Sequence, residues 1–200
     1  AMFIKRSFAP MKNAVTGYYL KVILVLSLLV TFILMLQGGY SSFGKALLDS
    51  AFQVVSFIST TGFGNADNAM WPMLANIFLI YASFHCGCSG STTGGVKADR
   101  MLIVFKDLGN EFKRRLHPSS VVSTKIDDHT VNNDQISAVF LYIVTYTFIL
   151  FISFLAVLMS GADISDAFSG TLASLGNVGP GLGELGTMGN YASQPVFAKI

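Results

Sequence analysis

Two glycine-containing segments hold the residues best suited to chemistry in this chain. The first is residues 59–64, Ser-Thr-Thr-Gly-Phe-Gly, and the second is residues 176–181, Gly-Asn-Val-Gly-Pro-Gly. Each follows a short amphipathic stretch and lies between long hydrophobic runs. At membrane depth, such segments leave backbone carbonyl oxygens unpaired unless the oxygens line a water-filled path or bind a desolvated cation. The pattern therefore predicts an ion-conducting filter.

The predicted ligands are closely spaced backbone oxygens, which can replace the hydration shell of a potassium-sized ion. Glycine at Gly62 and Gly179 permits the required backbone, and Thr60 and Thr61 offer hydroxyl oxygens at the inner end. Each preceding short helix would point the negative end of its dipole at the cation. A surface turn is the alternative for either segment alone, but the twofold occurrence between apolar runs favours a filter.

The composition is typical of an integral membrane protein. Of the 200 residues, 52% are hydrophobic and 12% are charged, against about a quarter charged in soluble domains, and the mean hydropathy is +0.58. A formal net charge of only +2 gives no electrostatic footprint for nucleic acid. Cys86 and Cys88 are the only cysteines; with no second pair nearby, we expect buried free thiols and no metal site.

The hydrophobic pattern predicts an all-α membrane fold. Residues 17–36 are apolar and long enough to span a bilayer, and residues 41–58 suit a re-entrant half-helix because their helical periodicity covers too short a run to span. Residues 73–86 begin a crossing back. The glycine-rich residues 87–95 interrupt this crossing before the apolar pattern resumes at 101–105, so we expect a broken helix there.

The second part of the chain repeats this order. Residues 136–159 form a span and residues 163–175 a second short helix, which indicates an internal repeat with a period somewhat over a hundred residues. The triplets 50–52 and 166–168 match, whereas matching Gly62 with Gly179 shifts the register by one residue. The predicted organisation is a lead-in at 1–16, a pore repeat at 17–105, a polar linker at 106–134 and a second pore repeat at 135–200, truncated before its last span.

Charged residues predict the orientation in the membrane. Basic residues cluster before the first span and after the second crossing, whereas the loops beside the filter segments are mostly acidic. By the positive-inside rule, the linker is cytoplasmic and the filter segments face outward, where acidic groups would concentrate cations. The basic residues are Lys5, Arg6, Lys12, Lys97, Arg100, Lys106, Lys113, Arg114, Arg115 and Lys125, and the acidic residues are Asp49, Asp67, Asp163, Asp166 and Glu184.

Three motifs together resemble a known family. They are residues 59–63 with Asp67, residues 90–97 (Gly-Ser-Thr-Thr-Gly-Gly-Val-Lys) and residues 177–183. The chain resembles the Trk/Ktr/HKT potassium transporter superfamily, and within it the TrkH-type pore subunits. The resemblance implies four repeats of span, pore helix, filter loop and span around one pseudo-fourfold pore. This chain would be a fragment that covers the third repeat and most of the fourth.

The resemblance also implies roles for single residues. It implies a carbonyl-lined filter for passive potassium transport, and an intramembrane loop that obstructs the pore below the filter as a gate. One filter wall would be Thr60, Thr61, Gly62 and Phe63, another Asn177, Val178, Gly179 and Pro180, with potassium bound at Thr60, Thr61, Gly62, Asn177, Val178 and Gly179. The gate loop would be Gly87, Gly90, Ser91, Thr92, Thr93, Gly94 and Gly95.

The partners implied by the resemblance are potassium as substrate, the lipid bilayer, a second copy of the chain in a homodimer, and a cytoplasmic nucleotide-binding regulatory subunit. No covalently bound cofactor and no nucleic acid are expected, and the implied location is the bacterial plasma (inner) membrane. The basic run 113–115, Lys-Arg-Arg, either docks the regulatory subunit or fixes orientation and meets anionic lipid.

Other interpretations remain at this stage. Residues 87–95 could be a flexible kink or a site of small-residue helix packing, whereas a phosphate-binding loop lacks its Gly-Lys-Ser/Thr ending and preceding strand. His85 is either a packing residue, which we favour, or a pore-facing titrating group. The alternative functions are a secondary carrier with a substrate site at the broken helices and a membrane scaffold without ion flux. An enzyme is not expected, because no catalytic constellation has usable spacing.

Overall fold

A computed structural model describes residues 13–37, 39–117, 123–127 and 129–199. The lysines and the arginine of the lead-in, at positions 5, 6 and 12, lie outside these ranges.

The helices are α1 (Ala14–Leu36), α2 (Phe43–Ile58), α3 (Met73–His85), α4 (Ala98–Leu116), α5 (Asn133–Met159) and α6 (Ile164–Leu175). The predicted all-α fold is confirmed. The strands β1 (Lys125–Ile126) and β2 (His129–Thr130) form one antiparallel pair, and single 3-10 turns cover Asn68–Met70, Gly183–Leu185, Tyr191–Ser193 and Val196–Lys199.

Helices α1 and α5 are the two in the described ranges that are long and apolar enough to cross a membrane. With 23 and 27 residues, they extend roughly 35 and 40 Å at 1.5 Å per residue, against a hydrocarbon core of about 30 Å. Their outer faces leave large apolar side chains exposed, as at Leu24 (60%) and Phe148 (62%). A bilayer is the solvent that makes such exposure favourable.

The short helix α2 packs into the core of the fold. Its buried face, with Val54, Phe57 and Ile58, meets Val30 and Leu34 of α1 in one apolar cluster. The same cluster includes Ala173 and Val178 from the second repeat. The two repeats therefore share a core, and their filter segments are held by common packing.

The two repeats have the same backbone geometry where the pore helices end. The amides of Thr60 and Thr61 bond to the carbonyls of Phe57 and Ser56, and those of Asn177 and Val178 bond in the same pattern to Ser174 and Ala173. This pairs Thr60 with Asn177 and Gly62 with Gly179.

The match expected between residues 50–52 and residues 166–168 is wrong by one residue, and the pairing of Gly62 with Gly179 holds instead. Both pore helices continue without interruption toward their N-termini, so the same register sets Asp49 opposite Asp166, and the triplets 50–52 and 166–168 are out of step. Both carboxylates are buried, and each accepts a hydrogen bond of 2.8 Å from a side-chain amide, that of Asn65 and that of Gln194.

The predicted linker is partly regular structure. Helix α4 continues through residue 105 and on to Leu116, so the predicted boundary falls inside the helix, and the boundary at 135 likewise falls inside α5. The hairpin then folds back onto α4, where the Thr124 hydroxyl donates to Asp107 at 3.0 Å. The carboxylate of Asp127 accepts the backbone amide of Ala14 at 2.9 Å, which places the start of α1 on the same side as the linker.

The hydrogen bond between Thr31 and Ser50 yields a stability prediction. The two buried hydroxyls join α1 to α2 at 2.5 Å. We expect Thr31→Val to lower the free energy of unfolding by about 1–2 kcal/mol, because it removes from a dry interface a hydroxyl that bonds both to Ser50 and to the Ser27 carbonyl. Thermal unfolding of the purified protein in detergent should show a lower Tm for Thr31→Val, while Thr31→Ser stays near wild type. An unchanged Tm for Thr31→Val would contradict this account.

Candidate ion filter and gate loop

The two filter segments adopt a backbone that alternates in handedness. Thr60 and Gly62 have φ of 55° and 75°, and the paired residues Asn177 and Gly179 have φ of 56° and 99°. Positive φ is strained for residues with a Cβ, costing of order 1–3 kcal/mol, and is unstrained for glycine. Gly62 and Gly179 are therefore needed for their backbone, and Thr60 and Asn177 are held in place by the bonds from their amides to the helix ends.

The filter segments have satisfied amides and unsatisfied carbonyls. The amides of residues 60–62 and 177–178 all donate to carbonyls in the last turn of α2 or α6. Within the described ranges, nothing donates a hydrogen bond to the carbonyl oxygens of Thr60, Thr61, Gly62, Phe63, Asn177, Val178 or Pro180. A backbone carbonyl that water does not reach almost always finds a partner within the protein. A run of free acceptors beside the negative ends of two helix dipoles creates a negative electrostatic potential there.

The two segments lie against each other. A Cβ added to Gly62 would overlap the carbonyl oxygen of Val178 and lie 3.2 Å from Cδ of Pro180. Gly62 is therefore needed for a second reason, because a side chain at this position would prevent the first segment from lying against the second. Because the segments meet directly, both filter loops lie on the same side of the fold.

The side chains of the predicted filter residues have different surroundings. Val178 is buried in the core, whereas Thr61 and Asn177 are exposed and the ring of Phe63 is 70% exposed. The Thr61 hydroxyl forms a 2.7 Å hydrogen bond with the Ser59 hydroxyl. Backbone oxygens are thus the free acceptors shared by the two segments.

Tyr191 contacts the filter and was not predicted from the sequence. Its hydroxyl donates to the Gly179 carbonyl at 2.7 Å, which sets this oxygen apart from the free ones. Burial, and after it the nearby Asp166 carboxylate, raises the pKa of Tyr191, so the hydroxyl keeps the proton it donates. An aromatic residue beyond a glycine loop gives no sequence signal for this contact.

The predicted gate loop connects α3 to α4 as a closed loop. Its base is fixed by backbone bonds from Val96 to Phe84 at 3.1 Å and from Ala98 to Gly87 at 2.9 Å. Within it, the Ser91 and Thr93 hydroxyls lie 2.6 Å apart, and Lys97 donates to the Ser91 carbonyl at 3.0 Å. Gly87 and Gly95 are buried, whereas the tip at Gly90 and Thr92 is exposed, so the broken helix is an ordered loop with a free end.

The loop lies directly against the second filter. A Cβ on Gly94 would lie 2.6 Å from the carbonyl oxygen of Gly176, the residue before Asn177. From the opposite side, the Tyr142 hydroxyl of α5 donates to the Gly95 carbonyl at 3.1 Å, and the Arg100 guanidinium stacks 3.9 Å from the Tyr142 ring centroid. The loop is thus held between α5 and the end of α6.

His85 is a packing residue, the role that we favoured for it. Its side chain is fully buried, with Nε2 at 3.0 Å from the Tyr18 hydroxyl and Nδ1 at 3.2 Å from the Cys86 carbonyl. Cys86 and Cys88 are free thiols. Cys86 fits tightly against the loop, because a Cβ on Gly95 would lie 2.5 Å from its Sγ.

Known proteins share this arrangement of spans, pore helices and filter loops. The family model described as "TrkH: Cation transport protein" matches residues 8–200. The Trk system potassium uptake protein TrkH of Salmonella typhimurium is 35% identical over 181 residues, which is 90% of this chain and 37% of the relative. The protein of the same name from Vibrio parahaemolyticus is 36% identical over 162 residues, or 80% of this chain and 33% of the relative.

A solved structure agrees with the fold. The crystal structure of the potassium transporter TrkH from Vibrio parahaemolyticus matches 100% of this chain and 43% of its own, with a TM-score of 0.87 at 28% identity. Fold and site together define a helical membrane protein built from pore repeats. The chain belongs to the TrkH family of cation transport proteins, and its matches cover only 37% and 33% of the lengths of the Salmonella and Vibrio relatives.

The contact between Gly94 and Gly176 gives a prediction for the loop. Gly94→Ala should push the loop away from the end of α6, because the added methyl cannot fit beside the Gly176 carbonyl. We expect maleimide to label the half-buried Cys88 several-fold faster than in wild type. Gly109→Ala in α4, where an added Cβ meets nothing within 4 Å, is the matched control. Equal labelling rates in all three proteins would show that the loop tolerates the methyl in place.

Proposed function

We propose that this chain forms two walls of a potassium-conducting pore in a cell membrane. The observation that carries the proposal is the set of free carbonyl oxygens on two adjoining segments whose first amides are bonded to the pore helices. Oxygens in this state can replace the water around a dehydrated cation. The names of the relatives, potassium uptake proteins and a potassium transporter, support potassium as the ion.

We propose that the individual ligands are the free carbonyl oxygens of the two filter segments. Each lies beside a helix C-terminus, and the carbonyl ends of α2 and α6 bring partial negative charge to the same place. Gly179 contributes a carbonyl that Tyr191 already occupies. We therefore assign it a conformational role, and its neighbours Asn177 and Val178 the role of ligands.

We propose that residues 87–95 gate this pore. The loop is wedged against Gly176 at the inner end of the second filter, with an exposed tip and a base fixed by backbone bonds. A wedge in that position can obstruct an ion path and can also move as a unit. Pure helix packing would explain the buried Gly95, but not the exposed tip at Gly90 and Thr92.

The geometry favours a pore over a secondary carrier. An inverted-repeat carrier places equivalent broken segments in opposite orientations, whereas here the two filter segments meet on the same side of the fold through Gly62 and Val178. A scaffold without flux remains the alternative that a transport measurement eliminates.

Regulation and assembly are proposed on the resemblance and on the position of α4. This helix begins where the gate loop ends and runs to the basic residues 113–115. Movement imposed at its far end would reach the loop through one rigid element. We propose that a cytoplasmic nucleotide-binding subunit acts there, and that the full protein is a homodimer in the bacterial inner membrane with its filters outward.

Glycine substitutions test the filter. In the full natural protein that carries this sequence, Gly62→Ala should abolish most rubidium uptake into proteoliposomes, since it adds both strain at positive φ and overlap with Val178. Gly179→Ala adds only the strain, so we expect a smaller loss.

The matched control for the filter test is Gly17→Ala in α1, where a Cβ has open space; it should keep wild-type flux. If all three variants transport equally, the segments do not form the ion path.

Two neighbouring tyrosines of α5 test the gate. Tyr142→Phe removes the hydrogen bond to the Gly95 carbonyl while keeping a ring for Arg100 to stack on. Losing about 1 kcal/mol would shift the loop equilibrium roughly fivefold, so resting rubidium flux should rise. Tyr146→Phe is the control, because its buried hydroxyl has no partner within the described ranges. A gate role is ruled out if both variants behave as wild type.

A further inference from the structure

The loops that follow the two filter segments are joined by a buried side chain. Asn68 is fully buried, and its Oδ1 accepts the backbone amide of Thr187 at 2.8 Å and the Thr187 hydroxyl at 3.2 Å. Its Nδ2 donates to the carbonyl of Gly181, the last residue of the second filter segment, at 3.3 Å. One side chain of the first repeat thus bonds to two points of the second.

The pore helix α2 takes part in the same network. Gln53, fully buried in α2, donates from Nε2 to the Ala66 carbonyl at 2.7 Å and lies 3.4 Å from the Thr187 hydroxyl. The Thr187 hydroxyl also reaches the Ala66 carbonyl at 2.7 Å. We call Gln53, Asn68 and Thr187 the inter-repeat clasp.

The clasp leaves little room for movement between the repeats. A Cβ on Gly186 would lie 2.5 Å from Oδ1 of Asn68, and one on Gly64 would overlap the side chain of Thr187. Two glycines are therefore required for the loops to approach each other this closely. The contact between Gly62 and the Val178 carbonyl lies between the same two loops, so the clasp and the filter contact share their geometry.

We propose that Asn68 and Thr187 are positioning residues that set the separation of the two filter segments and so the preference for potassium over sodium. This inference rests on the proposed function. A filter built from separate repeats has no covalent link between its walls. Its selectivity depends on the spacing and field of oxygens from both walls, and buried hydrogen-bonded networks are the contacts that fix one arrangement.

The test compares selectivity among variants of the full natural protein in proteoliposomes. Rubidium uptake is measured with and without competing sodium, and the ratio of the two rates is the readout. We expect Thr187→Val, which removes the hydroxyl but keeps the shape, to raise sodium competition several-fold, and Thr187→Ser to restore the wild-type ratio. Asn68→Ser shortens the side chain in this contact, and Gly186→Ala crowds it; both should shift the ratio in the same direction. If Thr187→Val does not accumulate, these two variants are compared with the wild type instead.

Thr31→Val is the matched control for the clasp. It removes an equivalent threonine hydroxyl from a buried hydrogen bond, but that bond lies within the first repeat, between α1 and α2. It should lower stability and leave the sodium ratio unchanged. The proposal is overturned if the clasp variants keep the wild-type ratio, or if Thr31→Val shifts the ratio as much as they do. Absence of rubidium uptake by the wild-type protein would instead refute the proposed function.

Discussion

The carbonyl oxygens of the filter segments impose the constraint on which the rest of this structure depends. A polar oxygen without a partner is costly inside a membrane, and among the described residues at least three such oxygens follow each pore helix. The amides of residues 60–62 and 177–178 are bonded to the last turn of α2 or α6. These bonds fix the backbone in a conformation in which the carbonyl oxygens cannot rotate toward other donors. The positive φ at Thr60 and Asn177 is part of that fixation.

Close packing between the repeats follows from the same constraint. Free oxygens can share one cation only if their segments lie near each other, and Gly62 against the Val178 carbonyl provides that proximity. Glycine recurs at other tight contacts between the two halves: Gly64 against Thr187, Gly186 against Asn68, and Gly94 against Gly176. A side chain at Gly64, Gly94 or Gly186 would overlap atoms of the other repeat and keep the two repeats apart.

Beneath the filter, the broken helix solves a different problem. A loop at membrane depth must satisfy its own backbone, and this one does so with bonds across its base and with the Tyr142 hydroxyl. Helix α4 begins at the end of the loop and runs uninterrupted to Leu116. The loop is therefore connected through one helix to the basic residues 113–115. The contact with the end of α6 and the connection to a rigid helix are the two features on which the proposed gate role rests.

The sequence by itself determined the elements and their order. Spans, short helices, glycine segments and the interrupted crossing were all predictable, because hydrophobic periodicity and glycine clusters report local solvent and backbone requirements. The boundary drawn after residue 105 falls inside α4, since the charged second half of that helix extends beyond the apolar run that marks a span. It also matched residues 50–52 with residues 166–168, which is one residue out of the register that hydrogen bonding at the helix ends sets.

Tertiary structure decided which residues meet. Tyr142 on the gate loop and Asn68 across the repeats join residues 47 and 113 positions apart, and Tyr191 bonds to the Gly179 carbonyl 12 positions before it. None of the three has a local pattern that predicts its partner. The physical reason is that a residue type determines what kind of group it can bond to, whereas the identity of its partner depends on how each loop folds back and how the two repeats dock.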